Sequence, residues 1–317
     1  MIWNESKECM SREQMHDLQS KRLRKLVSTV YHNTPFYRRK MQEMDITPDD
    51  IRSIDDIVKL PFTTKQDLRD NYPFGLQAVP TSEIVRIHAS SGTTGNPTIV
   101  GYTRHDLEIW QESIARCLTA YGITRNDIFS VGYGYGLFTG GLGAHYGAEY
   151  VGATVIPTST GNTEKHVRLI RDLGITGIAC TPSYALYLAE TIEKMGIDPQ
   201  MLKLRVGMFG AEPWTENMRK EIESRLHLSA YNCYGLSEIM QKRFPYTRRP
   251  LLSRNNLAGN LATTTFRTNR RTRFHHTYER RYATPALSHQ RPDISHRRDL
   301  RLRTYQCTHD PNRGSKR

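Results

Sequence analysis

Ser90-Ser91-Gly92-Thr93-Thr94-Gly95-Asn96-Pro97-Thr98 is the stretch on which the reading of this chain turns. It lies between two strand-like runs, 84–88 (Ile-Val-Arg-Ile-His) and 98–102 (Thr-Ile-Val-Gly-Tyr). Gly92 and Gly95 let the backbone turn so that several N–H groups face one concavity, an arrangement that suits an anion. The hydroxyls of Ser90, Ser91, Thr93 and Thr94 add donors for phosphate oxygens. The plain alternative is a small-residue hairpin turn, but so long a run of these residue types favours a phosphate loop. The G-x-x-x-x-G-K-[ST] pattern of a Walker loop is absent.

Before this loop the chain reads as helical. Leu18, Leu23, Leu26, Val27 and Val30 recur at helical spacing, which predicts a helix over 11–45. Thr47-Pro48-Asp49-Asp50 marks a turn, and Thr63-Thr64-Lys65-Gln66 a capped helix start. After the loop, strands and helices alternate. Leu107, Trp110, Ile114, Leu118 and Tyr121 mark one helix face. Strands are expected at 128–131, 154–156, 175–180 and 206–209, with helices near 140–151, 164–173, 183–195 and 216–226. Short apolar strands alternating with helices predict an α/β fold of layered, mainly parallel sheets.

The chain has 317 residues, and its formal charge of +13 is unevenly spread. Residues 241–317 hold 17 Arg and 2 Lys against 1 Glu and 3 Asp, a balance of +15. The other 240 residues hold 26 basic and 28 acidic side chains and are nearly neutral. Apolar periodicity stops near Met240, which predicts an irregular, disordered tail. No run of 18 apolar residues predicts a membrane span, and the polar start lacks a signal peptide. The cysteines Cys9, Cys117, Cys180, Cys233 and Cys307 show no paired spacing. That fits a reduced, cytoplasmic protein without disulfides or a zinc site.

The phosphate loop resembles the signature of the adenylate-forming enzymes, which usually carry Lys where this chain has Asn96. Further segments resemble the phenylacetate-CoA ligase family within that group. They are Asn33-Thr34-Pro35-Phe36-Tyr37, Leu60-Pro61-Phe62-Thr63-Thr64-Lys65, Tyr133–Gly143, Gly210-Ala211-Glu212-Pro213-Trp214 and Tyr231–Glu238. The resemblance spans 1–240. It implies the large N-terminal domain of that group, with 1–80 as a helical entrance and 81–240 as an AMP-binding core.

Roles follow from the resemblance at matching positions. Gly210, Ala211, Glu212 and Pro213 would border adenine, Tyr234 would stack on it beside Gly235, and Asn232 would meet its amino group. Asn232 stands where the family often has Asp. Ser90, Ser91, Gly92, Thr93, Thr94 and Gly95 would hold the ATP phosphates, Glu238 would hold Mg²⁺, and Ser237 would touch the acyl phosphate. Tyr135, Phe138, Gly140 and Gly141 would shape a slot for an aromatic acid, although Tyr135 and Phe138 read equally well as core aromatics. His145 carries no assigned role. ATP, Mg²⁺ and coenzyme A are the implied substrates and metal, and a homodimer is implied by analogy.

The genetic code offers an account of the tail. Read one nucleotide later, the codons allowed for 271–287 permit GLVFTTLTKEGMPLLR, and those for 287–293 continue as YRTSDLT. Residues 300–312 permit CACGRTSARMTRI. These strings resemble, in order, the family's F-T-T-L-T-K-E strand, its ribose-binding Y-R-T-x-D and its C-x-C-G-R-T stretch. The expectation is a shifted frame beginning between 240 and 270. The ribose Asp, the hinge and the mobile C-terminal subdomain would then be lost, and with them the activity.

Two other readings stand beside this one. The tail could be a basic arm for nucleic acid, with Phe274, Tyr278 and Tyr282 for stacking. The frame shift explains its composition without such binding, so neither nucleic acid nor membrane is expected as a partner. The acid could also be another aryl acid, such as indoleacetate.

Overall fold

A computed structural model describes residues 1–90 and 97–235, and the backbone alone at 236 and over 239–243. All of these lie in one compact unit, Met1–Thr268. The expected tail, 241–317, is outside the described residues apart from the backbone of 241–243.

The first part is helical. A short turn, α1 (Glu5–Glu8), precedes α2 (Arg12–Asn33). Ser11 and Gln14 cap the start of α2 reciprocally, each side chain meeting the other's backbone N–H. The helix expected over 11–45 breaks at Thr34-Pro35 and resumes as α3 (Pro35–Gln42). Proline disfavours helical backbone at the residue before it, and Thr34 is extended accordingly (φ −122°, ψ 104°). The break lets both helices turn apolar faces inward. Leu23, Val27, Val30, Phe36, Tyr37 and Met41 bury together with Ile51 and Leu60. A single-turn α4 (Lys65–Asp70) follows, capped by Thr64 and Asp67.

Strands β1 (Ile84–Ala89) and β2 (Ile99–Thr103) form an antiparallel pair. The chain then runs α5 (Arg104–Ala120), β3 (Ile128–Val131), α6 (Thr139–Val151), β4 (Thr154–Ile156) and α7 (Thr163–Asp172). It continues through β5 (Gly177–Cys180), α8 (Pro182–Lys194), β6 (Val206–Gly210), α9 (Glu216–Leu226), β7 (Ser229–Leu236) and β8 (Ile239–Arg243). The sheet order is β4-β3-β5-β6-β7-β8, parallel except for the last pair. The alternation read from sequence therefore builds the expected parallel α/β layers. Strand β7 had no assigned element, because Ser-Ala-Tyr-Asn-Cys-Tyr-Gly-Leu is neither an apolar run nor a clean alternation.

Both faces of the sheet are covered. One face, with Phe129, Val131 and Met208, packs on α5 and α6 through Trp110, Ile114, Leu118, Ala144 and Ala148. The other, with Ile178, Cys180 and Phe209, packs on Val167, Ile170, Leu188, Ile192 and Ile222 of α7, α8 and α9. Strands enclosed on two faces must be apolar throughout, as β5 and β6 are.

Helices α5 and α6 approach closely because α6 is glycine-rich. A Cβ built on Gly147 would lie 2.2 Å from Cγ2 of fully buried Ile114. Gly147→Ala is therefore expected to destabilise the fold by about 1–3 kcal/mol, despite alanine's better helix propensity. Thermal unfolding checks this, and an unchanged midpoint would contradict it.

Candidate functional site

In parallel α/β sheets, ligands collect beyond the C-terminal strand ends, where the strand order reverses. Here the chain passes from β3 outward to β4 and then back across to β5, so that point lies between β3 and β5. The Tyr133 hydroxyl, in the loop after β3, spans it and donates to the Cys180 carbonyl at 2.7 Å. Burial pushes that phenol well above its ordinary pKa, so it stays a donor. Gly132 N–H donates to Ala179 O at 2.8 Å beside it.

The two expected adenine segments meet on neighbouring strand ends. β6 and β7 pair with Phe209 opposite Asn232 and Gly210 opposite Cys233. The approach at Gly210 admits no side chain, since a Cβ there would lie 2.1 Å from Cys233 O. Ala211 follows with φ +71°, a left-handed backbone that costs alanine about 1 kcal/mol and is commonest at functional loops. The Glu212 carboxylate accepts the Ser183 N–H at 2.7 Å, which fixes the 211–214 turn to the N-terminus of α8. Glu212 thus has a bracing contact that the sequence did not reveal. Tyr234, near the end of β7, is 41% exposed.

The stem of the phosphate loop is closed by Ser90 N–H to Thr98 O (3.0 Å) and Thr98 N–H to Ser90 Oγ (3.1 Å). The Ser90 oxygen is thus partly used in joining the strands. Residues 91–96 lie outside the described residues, so Ser91, Gly92, Thr93, Thr94 and Gly95 are not described. Ser237 and Glu238 also lie outside, while Leu236 before them closes β7 against Ile239 of β8. Among the described residues, no group of three or more His, Cys, Asp or Glu side chains gathers to hold a metal.

The expected acid segment joins the base of that loop. Leu137 O accepts both the Ala89 N–H and the His88 ring N–H at Nδ1, each at 3.0 Å. His88 is buried against Tyr102 and Trp110, and desolvation lowers its pKa. Its Nε2 has no hydrogen-bond partner among the described residues. Sequence gave His88 no role, since a lone histidine in a strand carries no motif. Leu137 and Phe138 beside it are exposed (59% and 42%), so Phe138 is not a core aromatic. Gly140 and Gly141 answer to packing within the segment. Cβ atoms there would lie 2.4 Å from the Phe138 ring and from Gly134 O respectively. Tyr135 is half-buried and hydrogen-bonds to His145.

The described segments 210–214 and 232–235 thus lie side by side at the ends of β6 and β7, and the likeness to known proteins covers the same span. The family model for the AMP-binding enzyme matches residues 8–241. The chain belongs to the AMP-binding enzyme family. Phenylacetate-coenzyme A ligase of Pseudomonas putida is 55% identical over 233 residues, 74% of this chain and 53% of that one. The ligases of Escherichia coli (strain K12) and Thermus thermophilus are 56% and 50% identical, over 74% and 76% of this chain and 54% of each relative. The chain thus spans about half the length of the curated relatives it matches. Among solved structures, an open conformation of 2-hydroxyisobutyryl-CoA ligase with 2-HIB-AMP and CoA superposes with a TM-score of 0.71 at 28% identity. That match covers 75% of this chain and 57% of the other.

Proposed function

We propose that this AMP-binding chain carries the nucleotide- and acid-binding half of a phenylacetate-CoA ligase. The observation that carries the reading is the 55% identity to a phenylacetate-coenzyme A ligase, together with a family match over 8–241 that contains every site segment. In the reaction, a carboxylate oxygen of the acid attacks the α-phosphorus of ATP and pyrophosphate leaves with the bonding pair. The thiol sulfur of coenzyme A then attacks the acyl carbon, gives up its proton, and AMP leaves.

In this proposal Gly210, Ala211, Glu212 and Pro213 border adenine, Asn232 meets its amino group, and Tyr234 and Gly235 cover its face. The loop 90–95 donates to the phosphates, and Ser237 touches the acyl phosphate. Glu238 holds Mg²⁺, which offsets charge developing on phosphate oxygens. Tyr135 and Phe138 wall the acid slot. Support comes from the paired ends of β6 and β7 and from the Leu137 contacts that join slot and phosphate loop. A homodimer and a cytoplasmic location belong to the same proposal. Among the described residues no helix is long and apolar enough to cross a membrane.

The shifted frame is a further part of the proposal. It rests on the allowed codons of 271–312 and on a family match that stops at 241. The 317-residue chain is expected to release AMP from ATP, phenylacetate and coenzyme A at least about 100-fold more slowly than a version with the frame restored between codons 240 and 270. Losing one preorganised transition-state contact alone costs that much. An AMP-release assay on both proteins, with indoleacetate as a second acid, checks this. Equal turnover would refute the frame reading, and an inactive restored protein would refute the ligase reading.

A further inference from the structure

Tyr135 belongs to a series of side-chain contacts that leaves the expected acid slot and ends at the surface. Its hydroxyl lies 3.1 Å from Nδ1 of His145, and Nε2 of the same ring lies 3.0 Å from Oε1 of Glu149. His145 and Glu149 are four residues apart on α6, so both project from one helix face. The His145 side chain is 19% exposed and Glu149 51%. The two rings of Tyr135 and His145 meet edge-on, with centroids 5.7 Å apart at 86°.

The Glu149 carboxylate faces one ring nitrogen of His145 while the other faces the Tyr135 hydroxyl, so the imidazole is held between an acidic side chain and the phenol. Burial first, and the Glu149 charge second, hold the Tyr135 phenol above its ordinary pKa, so it keeps its proton. The contact with His145 thereby fixes the Tyr135 ring in rotation. A core tyrosine needs only one backbone acceptor, as Tyr133 has. A tyrosine held by a histidine that a carboxylate orients is the arrangement found where ring placement carries function.

Resting on the aryl-acid reading above, we propose that His145 is a positioning residue: with Glu149 it sets the Tyr135 ring as the wall that an aromatic carboxylic acid packs against. His145 itself touches none of the reacting atoms. Its effect passes through Tyr135 to the ring of the acid, so it governs affinity for the acid rather than for the nucleotide.

The test uses the 317-residue chain, titrated with phenylacetate and separately with AMP, both followed by NMR, with thermal unfolding in parallel. His145→Leu is expected to weaken phenylacetate binding roughly tenfold, the size of one lost buried hydrogen bond that orients a contact. AMP affinity and the unfolding midpoint are expected to stay put. His145→Gln, whose amide can accept from Tyr135 and donate to Glu149, is expected to restore most of the affinity. Glu149→Ala changes an exposed side chain that cannot jeopardise folding, and it is expected to give an intermediate loss. Phenylacetate binding that survives both His145→Leu and Glu149→Ala would overturn this inference alone. Failure of the wild-type chain to bind phenylacetate while it binds AMP would overturn the aryl-acid reading and this inference with it.

Discussion

Lowering the pH from 7 to 4 is expected to remove about 3 kcal/mol of folding stability, through one buried histidine. His166 on α7 is 3% exposed and lies among polar groups that form a single directed chain. Tyr184 OH pairs with Nδ1 at 3.0 Å, Nε2 with Ser130 Oγ at 2.8 Å, Ser130 Oγ with Thr158 Oγ1 at 2.9 Å, and Thr158 donates to Val131 O at 2.9 Å. Thr158 has only one hydroxyl hydrogen, so it accepts from Ser130. His166 Nε2–H then donates to Ser130, and Nδ1 accepts from Tyr184. Every donor finds an acceptor only if His166 is neutral. Desolvation accordingly lowers its pKa to about 4 from the usual 6.5.

Between those values the unfolded chain holds a proton that the folded chain does not, so stability rises with pH across the window and is lost as pH falls. The loss is about 2 kcal/mol by pH 5 and about 3 by pH 4. His88, also lowered by burial, acts in the same direction. Exposed His16, raised by its hydrogen bond to Asp55, acts oppositely. Urea unfolding at pH 7 and 5 on wild type and His166→Gln isolates the contribution. The variant is expected to lose most of the slope, and a slope equal to wild type would contradict this account.

Asp127→Ala is expected to cost about 3 kcal/mol. Asp127 is 4% exposed and lies just before β3, at the end of that strand opposite the candidate site. Its carboxylate accepts from Thr124 N–H (2.7 Å), Thr124 Oγ1 (3.0 Å), Thr176 Oγ1 (2.7 Å) and Arg205 (2.5 Å). Burial opposes its charge, but the Thr176 and Arg205 donors overcome that and hold the pKa below the ordinary range. Removing the carboxylate takes the acceptor from the Thr124 N–H and hydroxyl, while the Thr176 hydroxyl keeps the Ile128 carbonyl at 3.2 Å. The Arg205 side chain is 43% exposed and can hydrate, which keeps the cost at the lower end for a broken pair. Chemical denaturation measures it, and Asp127→Asn is expected to cost less because an amide oxygen still accepts. A loss below about 1 kcal/mol for the alanine variant would show the cluster to be marginal.

The parts of the fold that sequence revealed are those where burial leaves a pattern. The apolar runs at 128–131, 177–180 and 206–210 lie in a sheet covered on both faces, and the 107–121 periodicity is the buried stripe of α5. The single helix expected over 11–45 divides because Pro35 holds Thr34 extended, a local stop that apolar spacing alone does not register. Sequence left β7 without an element because that strand's residues answer to its neighbours and its exposed end rather than to a period. For the candidate site, sequence gives positions along the chain but not neighbours in space. The motifs located Gly210–Pro213 and Asn232–Gly235 along the chain, but only strand pairing brings them side by side. The contacts of Leu137 O, the brace from Glu212 to Ser183 and the histidine behind Tyr135 depend on tertiary distances that no local pattern encodes.

The central claim is that the ends of β6 and β7, with the loop stem at Ser90, form one nucleotide cleft. Titration of the 317-residue chain with AMP, followed by backbone NMR shifts, tests it most directly. The account predicts saturable changes at Gly210–Glu212, Asn232–Gly235 and Ser90. Changes confined to α7 and α9 behind the sheet, or none at millimolar AMP, would contradict it.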